Sequence, residues 1–196
     1  MNIATFKPSP LPAEYRWLLK EPALPKVIQN ALKFHGLREI PGPAHEAVIL
    51  EMGDFLGGQV AAWHKDDETA WCGVFVGYIL KVSGFVPPSG FDVVRARSYQ
   101  AWGNVPQAPA APALGDILSF WRGSPGGSDG HVGFYIGETA TTYKVLGGNQ
   151  GNAVGFTDLK KNRLLAARRC PWKVAQPAGV RPVIFNAAGP ISRNEA

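Results

Sequence analysis

The hydrophobic period of this chain changes partway along it, and that change limits the available folds more than any single motif does. Before residue 105, apolar residues return at helical spacing. Val27, Ile28, Ala31, Leu32 and Phe34 mark an amphipathic helix over Lys26–Phe34, with Gly36 placed to end it. Ala47, Val48, Leu50 and Phe55 mark a second over Ala44–Phe55, closed by Gly57-Gly58, and further helices are expected over Ala70–Val82 and Val94–Trp102. A segment of prolines and alanines, Val105–Pro112, then divides the chain. Beyond it the period is two, in short runs at Ile117–Trp121, His131–Ile136, Thr142–Leu146, Ala153–Phe156 and Leu164–Arg168, separated by glycine-rich or polar breaks. Helices first and strands second argue for an α+β domain, with N-terminal helices packed on a C-terminal antiparallel meander of about five strands.

A length of 196 residues suits one such core. The expected divisions are a proline-rich lead-in over 1–24, the domain over 25–172, and an arm or disordered tail over 173–196. The formal charge is +5, but no run of five Lys or Arg exists, which argues against nucleic acid and leaves attraction to an anionic polymer such as a bacterial wall. No 18-residue apolar run is present, so membrane insertion is not expected, and the first residues lack the pattern of a signal peptide. The two cysteines, Cys72 and Cys170, lie 98 positions apart without metal-ligand spacing, so no metal is expected; a disulfide between them stays open.

Cys72 follows the run Asp67-Glu68-Thr69-Ala70-Trp71, which can cap a helix. It would then occupy a first helical turn, where unpaired N–H groups and the helix dipole favour thiolate. A lone cysteine in an apolar helix is more often packing. A nucleophilic thiolate also needs a base and a group that orients that base. His35 and His45 fall at helix ends, and His64 lies in a polar loop where it could pair with Asp66. His131 differs, because it opens a strand after the glycine-rich loop 123–130, with Gly133 on the same face. A hairpin centred on Ala140 would pair Gly137 with Tyr143, Tyr135 with Val145 and His131 with Asn149, bringing the Asn149 amide to the imidazole. The alternative for Gly147–Asn152 is a glycine-rich turn in which Asn tolerates unusual dihedrals.

Four motifs in order, Asp67-Glu68-Thr69-Ala70-Trp71-Cys72, Gly115-Asp116-Ile117-Leu118-Ser119-Phe120, Gly130-His131-Val132-Gly133-Phe134-Tyr135 and Gly147-Gly148-Asn149-Gln150, resemble the NlpC/CHAP superfamily of papain-like cysteine peptidases and amidases. The likeness spans roughly 31–152 and includes Glu39-Ile40-Pro41-Gly42, Ala96-Arg97-Ser98 and Trp102-Gly103. It implies a papain-like fold, Cys72 as nucleophile, His131 as general base and acid, and Asn149 as the group that orients the imidazole. It implies cleavage of a peptidoglycan amide bond, in the stem peptide or between the lactyl group and L-alanine, through a thioester and without a cofactor. The partner is then peptidoglycan or a muropeptide, with an immunity or delivery protein as a further partner of a monomeric enzyme. Without a signal peptide, it would be made in the cytoplasm and reach the wall by holin release or a secretion machine.

The chain departs from the papain pattern upstream of the cysteine. Asp66, Asp67 and Glu68 stand where an amide often holds the oxyanion, so the hole is expected from the Cys72 N–H with Gln150. Asp67 is read as a cap or loop tie, or as a ligand for a substrate amine, and Asp116 as turn chemistry. Trp63, Trp71, Trp102, Trp121 and Tyr135 are candidates for a substrate groove, although aromatics are more often core. Rival readings are a non-catalytic wall-binding module, an acyltransferase with the same triad, and a metal hydrolase using His64 and Asp66.

Overall fold

The computed structural model describes residues 2–107 and 112–186, so part of the proline-alanine break and the last residues of the expected tail lie outside it. Four α-helices precede five β-strands: α1 Lys26–Leu32, α2 Ala47–Leu56, α3 Gly58–Trp63, α4 Cys72–Val82, β1 Ile117–Trp121, β2 Gly130–Glu138, β3 Thr142–Gly147, β4 Gly155–Lys160 and β5 Leu164–Arg168. The chain is thus an α+β fold with one antiparallel sheet. The sheet order β4-β3-β2-β1-β5 corrects the expected meander, since β5 returns to the far edge and pairs with β1.

Burial explains which elements form. Every residue of α4 from Cys72 to Leu80 is buried, so this helix is the central one and needs no polar face. It packs with α1 and α2 and on one face of the sheet, where Ile117, Val132, Phe134, Ile136 and Leu146 join a single cluster. The alternate residues Leu118, Phe120, Tyr135, Tyr143 and Val145 form a second cluster on the opposite face, as period two requires. The helix expected over Val94–Trp102 is instead a pair of 3-10 segments, Gly90–Val94 and Ala96–Ala101. α3 was not anticipated: Gly57, at φ +81, ends α2 and the chain starts a new helix at once.

The lead-in and the described part of the tail, up to residue 186, belong to the same core. Leu11, Tyr15, Leu18 and Leu24 are buried in the main cluster, with Val183 and Phe185 packed against it. A Cβ on Gly137 would lie 2.4 Å from the Phe185 ring, and Glu138 exchanges backbone hydrogen bonds with Val183 and Phe185. A register shift between Tyr135 and Gly137 accompanies this docking, so Gly137 pairs with Lys144 rather than Tyr143.

Fully buried Lys144 meets Asp158 at 3.1 Å and Glu14 of the lead-in at 3.4 Å, under the rings of Tyr15 and Phe185. Removing one partner of a buried pair leaves the other charge uncompensated. Asp158→Ala is therefore expected to cost about 2 to 4 kcal/mol, the half-exposed Glu14 retaining some compensation. A urea midpoint unchanged by this substitution would contradict that account of the ion pair.

Candidate active site

Cys72 is the first residue of α4, capped by the backbone of Trp71 without any side-chain hydrogen bond. The acidic run before it does different work from the expected cap. The buried Asp67 carboxylate accepts from the Ile40 and Glu46 backbone N–H groups and meets His45 Nδ1 at 3.1 Å. Burial alone would raise its pKa, but these bonds outweigh burial and hold the carboxyl below its ordinary value. Asp67 therefore ties the loop before α2 to the loop before α4, and both oxygens are committed there rather than to a substrate amine. His45, Asp66 and Asp67 bring ligand-type atoms within 4.8 Å of one another, the only such group among the described residues.

Backbone direction explains where the sulfur lies. Tyr135 exchanges backbone bonds with Gly115 and Asp116 on the β1 side, so even-numbered residues of β2 direct their N–H groups toward β3. The β2–β3 pairing starts only at Phe134–Leu146, which leaves the Val132 N–H without a strand partner. That N–H lies where it favours the thiolate form of Cys72. The nucleophile candidate thus sits in the fork where β2 and β3 separate, one residue along the backbone from His131.

Two close approaches seat the fork. A Cβ on Gly148 would lie 2.6 Å from both the Trp71 ring and Phe75 Cβ, so glycine lets the loop after β3 dock on the first turn of α4. A Cβ on Gly133 would lie 2.5 Å from Val145 Cγ1; its missing side chain admits β3 rather than clearing space for substrate. On the far side, a Cβ on Gly73 would lie 2.4 Å from the Val94 oxygen, and the Tyr99 hydroxyl donates to the Gly73 and Val93 carbonyls.

His131 is fully buried, and its Nε2 lies 3.2 Å from Gln150 Oε1. The Gln150 amide nitrogen donates to the carbonyls of Val145, Gly147 and Gly155, which orients the oxygen toward the ring. Facing an acceptor, Nε2 carries the proton, and Nδ1 is the basic nitrogen of the neutral ring. Gln150 contacts Nε2, and its committed donors exclude it from the oxyanion hole expected of it. Asn149 is buried at φ +54, the left-handed conformation its short amide tolerates in the turn.

Burial pushes the Cys72 thiol above its ordinary pKa, against the pull of the Val132, Gly73 and Cys72 N–H groups and the positive charge of Arg122. The helix start does favour thiolate as expected, but desolvation is the larger effect. Burial of a residue only 6 % exposed thus favours the thiol over the thiolate. Cys170 is a second buried free thiol, pushed up to about 12 by burial, and no disulfide joins the two.

The aromatic expectations are corrected in part. Trp71 is buried and donates its indole N–H to Glu39 at 2.6 Å, while Tyr135 is buried on the opposite sheet face with its hydroxyl on Glu138 and the Val183 carbonyl. Neither can line a groove. Trp63 is exposed beside Phe91, Trp102 donates to the Val86 carbonyl and Trp121 to that of Asn162. His64 does not join Asp66: it is buried against Gly53 of α2, its ring nitrogens have no hydrogen-bond partner among the described residues, and burial lowers its pKa. Asp116 accepts the Ala113 N–H and both Nε and Nη2 of Arg169 at 2.8 Å, a turn residue reinforced by an ion pair.

Sequence reasoning placed Arg97 in the motif likeness but gave it no role. The Arg97 guanidinium donates to the carbonyls of Ser124, Pro125 and Asp129, clamping the loop that delivers His131. Its signal was a cation beside a glycine-rich loop rich in free carbonyls. No protein-family model matches this chain, and no curated protein matches it.

Proposed function

We propose that this protein is a papain-like cysteine amidohydrolase that cleaves an amide bond of peptidoglycan. The observation that carries the reading is the fork between β2 and β3: Cys72 opens α4 where the unpaired Val132 N–H favours its thiolate, and Gln150 Oε1 faces Nε2 of the neighbouring His131. In the proposed reaction His131 Nδ1 takes the thiol proton as the sulfur attacks the amide carbonyl, which offsets the cost of ionising a buried thiol. The N–H groups of Cys72 and Gly73 at the helix start hold the oxyanion once it forms. The imidazolium then protonates the leaving amine, and water, activated by the same ring, hydrolyses the thioester. The motif resemblance supplies the substrate class, and the net charge of +5 suits an anionic wall. The site of action is then the cell wall, reached after holin release or through a secretion machine; among the described residues no helix is long and apolar enough to cross a membrane.

The near-complete burial of Cys72 favours one rival, a wall-binding module that keeps the fold without the reaction. Incubation of purified sacculi with the protein, followed by mass spectrometry of the soluble products, separates the two. Hydrolysis yields muropeptides with a new amine and a new carboxylate at a single amide position. Sacculus binding without such products would replace the hydrolase reading with the module.

A further inference from the structure

The segment over residues 36–42 joins the two halves of the candidate site. On one side its backbone holds the loop after β3: the Gly36 N–H donates to the Val154 carbonyl, the Val154 N–H to that of Leu37, and the Glu39 N–H to that of Asn152. On the other side it holds the run before α4, where the Ile40 N–H donates to Asp67 and the Gly42 N–H to Glu68. Glu39 reaches both. Its N–H meets the Asn152 oxygen at 3.0 Å, and its buried carboxyl accepts from the Trp71 indole nitrogen at 2.6 Å. Trp71 immediately precedes Cys72, and its ring lies against Gly148, two residues before Gln150. The residue that bears the sulfur is therefore one position from the contact of the Glu39 carboxyl. Gln150, whose Oε1 lies 3.2 Å from His131 Nε2, is two positions from the contact of the Glu39 backbone.

A carboxyl in the core is costly unless hydrogen bonds offset its desolvation, and burial raises the pKa of Glu39 against the pull of the indole N–H. Resting on the amidohydrolase reading, we infer that Glu39 is a positioning residue that sets where the Cys72 thiol stands relative to the His131–Gln150 pair. Without its carboxyl the indole loses its acceptor, and the first turn of α4 and the loop bearing Gln150 are no longer referred to one side chain. A misplacement of about 1 Å between reacting groups can cost on the order of 100-fold in rate. Glu39 acts through Trp71 and the loop after β3, and takes no part in bond cleavage.

The test compares wild type, Glu39→Ala, Glu39→Gln and the control Leu18→Ala, which leaves a cavity in the buried lead-in and weakens the fold there. Each is assayed for muropeptide release and by NMR of the histidine ring nitrogens. Glu39→Ala should lower kcat about 10- to 100-fold with KM within a few-fold, and should shift the His131 imidazole signals. Glu39→Gln keeps an oxygen acceptor for the indole and should restore most of kcat and the wild-type signals. Leu18→Ala should lower the urea midpoint while kcat and the His131 signals stay in place. A wild-type kcat in Glu39→Ala would overturn the inference. So would an equal fall in kcat in Leu18→Ala, because general loss of stability would then account for the effect. A wild-type protein that releases no muropeptides, or a Cys72→Ala variant that releases as many, would overturn the hydrolase reading instead. The His131 signals would still judge Glu39, whose positioning role fails if Glu39→Ala leaves them unmoved.

Discussion

Cys72→Ala is expected to abolish muropeptide release, lowering the rate by at least about three orders of magnitude while the protein stays folded. Loss of the attacking group in an enzyme that forms a covalent intermediate leaves only the residual effect of binding and of the oxyanion donors. The fold should tolerate the exchange, since alanine is smaller than cysteine and the buried α4 keeps its other apolar residues. Iodoacetamide supplies an independent reading on the wild-type protein. Burial raises the thiol pKa, so thiolate accumulates only as pH rises above the ordinary thiol range, and labelling without substrate should follow that higher midpoint. Undiminished product release by Cys72→Ala would remove the nucleophile from position 72.

The second large effect is expected at Gln150. Gln150→Ala frees the imidazole to adopt the wrong tautomer and should lower kcat roughly 10²- to 10³-fold, with KM within a few-fold. It also strips the donor from the Val145, Gly147 and Gly155 carbonyls, so stability should fall as well. Gln150→Glu separates these effects. A carboxylate still accepts from Nε2 but cannot donate to the carbonyls, so the stability loss should resemble that of alanine while most of kcat survives. Asn149→Ala places a Cβ-bearing residue without a compensating amide at φ +54 and should cost about 1 kcal/mol of stability with little change in kcat. If Asn149→Ala lowered kcat as much as Gln150→Ala, orientation of the ring would pass to Asn149.

The strands were legible because alternation is a local property. Ile117–Trp121 and Leu164–Arg168 form where the runs predicted them, β1 placing Ile117 in one sheet cluster and Leu118 and Phe120 in the other, β5 packing Leu164 and Ala167 on the second. The pairing of β5 with β1 was not legible, because no local pattern says which edge a final strand chooses. At the site, Cys72 at a helix start and His131 in a strand came from spacing, and both lie in those elements. The contact of Gln150 with the imidazole was not legible, because a register argument assumes that the ladder continues, whereas pairing stops at Phe134–Leu146. Trp71 and Tyr135 were misassigned for a simpler reason: an aromatic that seals a core and one that lines a groove are the same letter.

The ammonium of Lys144 carries one more consequence, for the minimal unit that can be excised. A chain cut to the motif-bearing span, residues 25–172, would retain the sulfur, the imidazole and the amide. It would also shed Glu14 and both aromatic rings that roof that ammonium. Asp158 alone would then face a cation newly open to solvent at the seam of β3 and β4. A piece that keeps this ammonium enclosed must therefore reach back to residue 14 and on to residue 185.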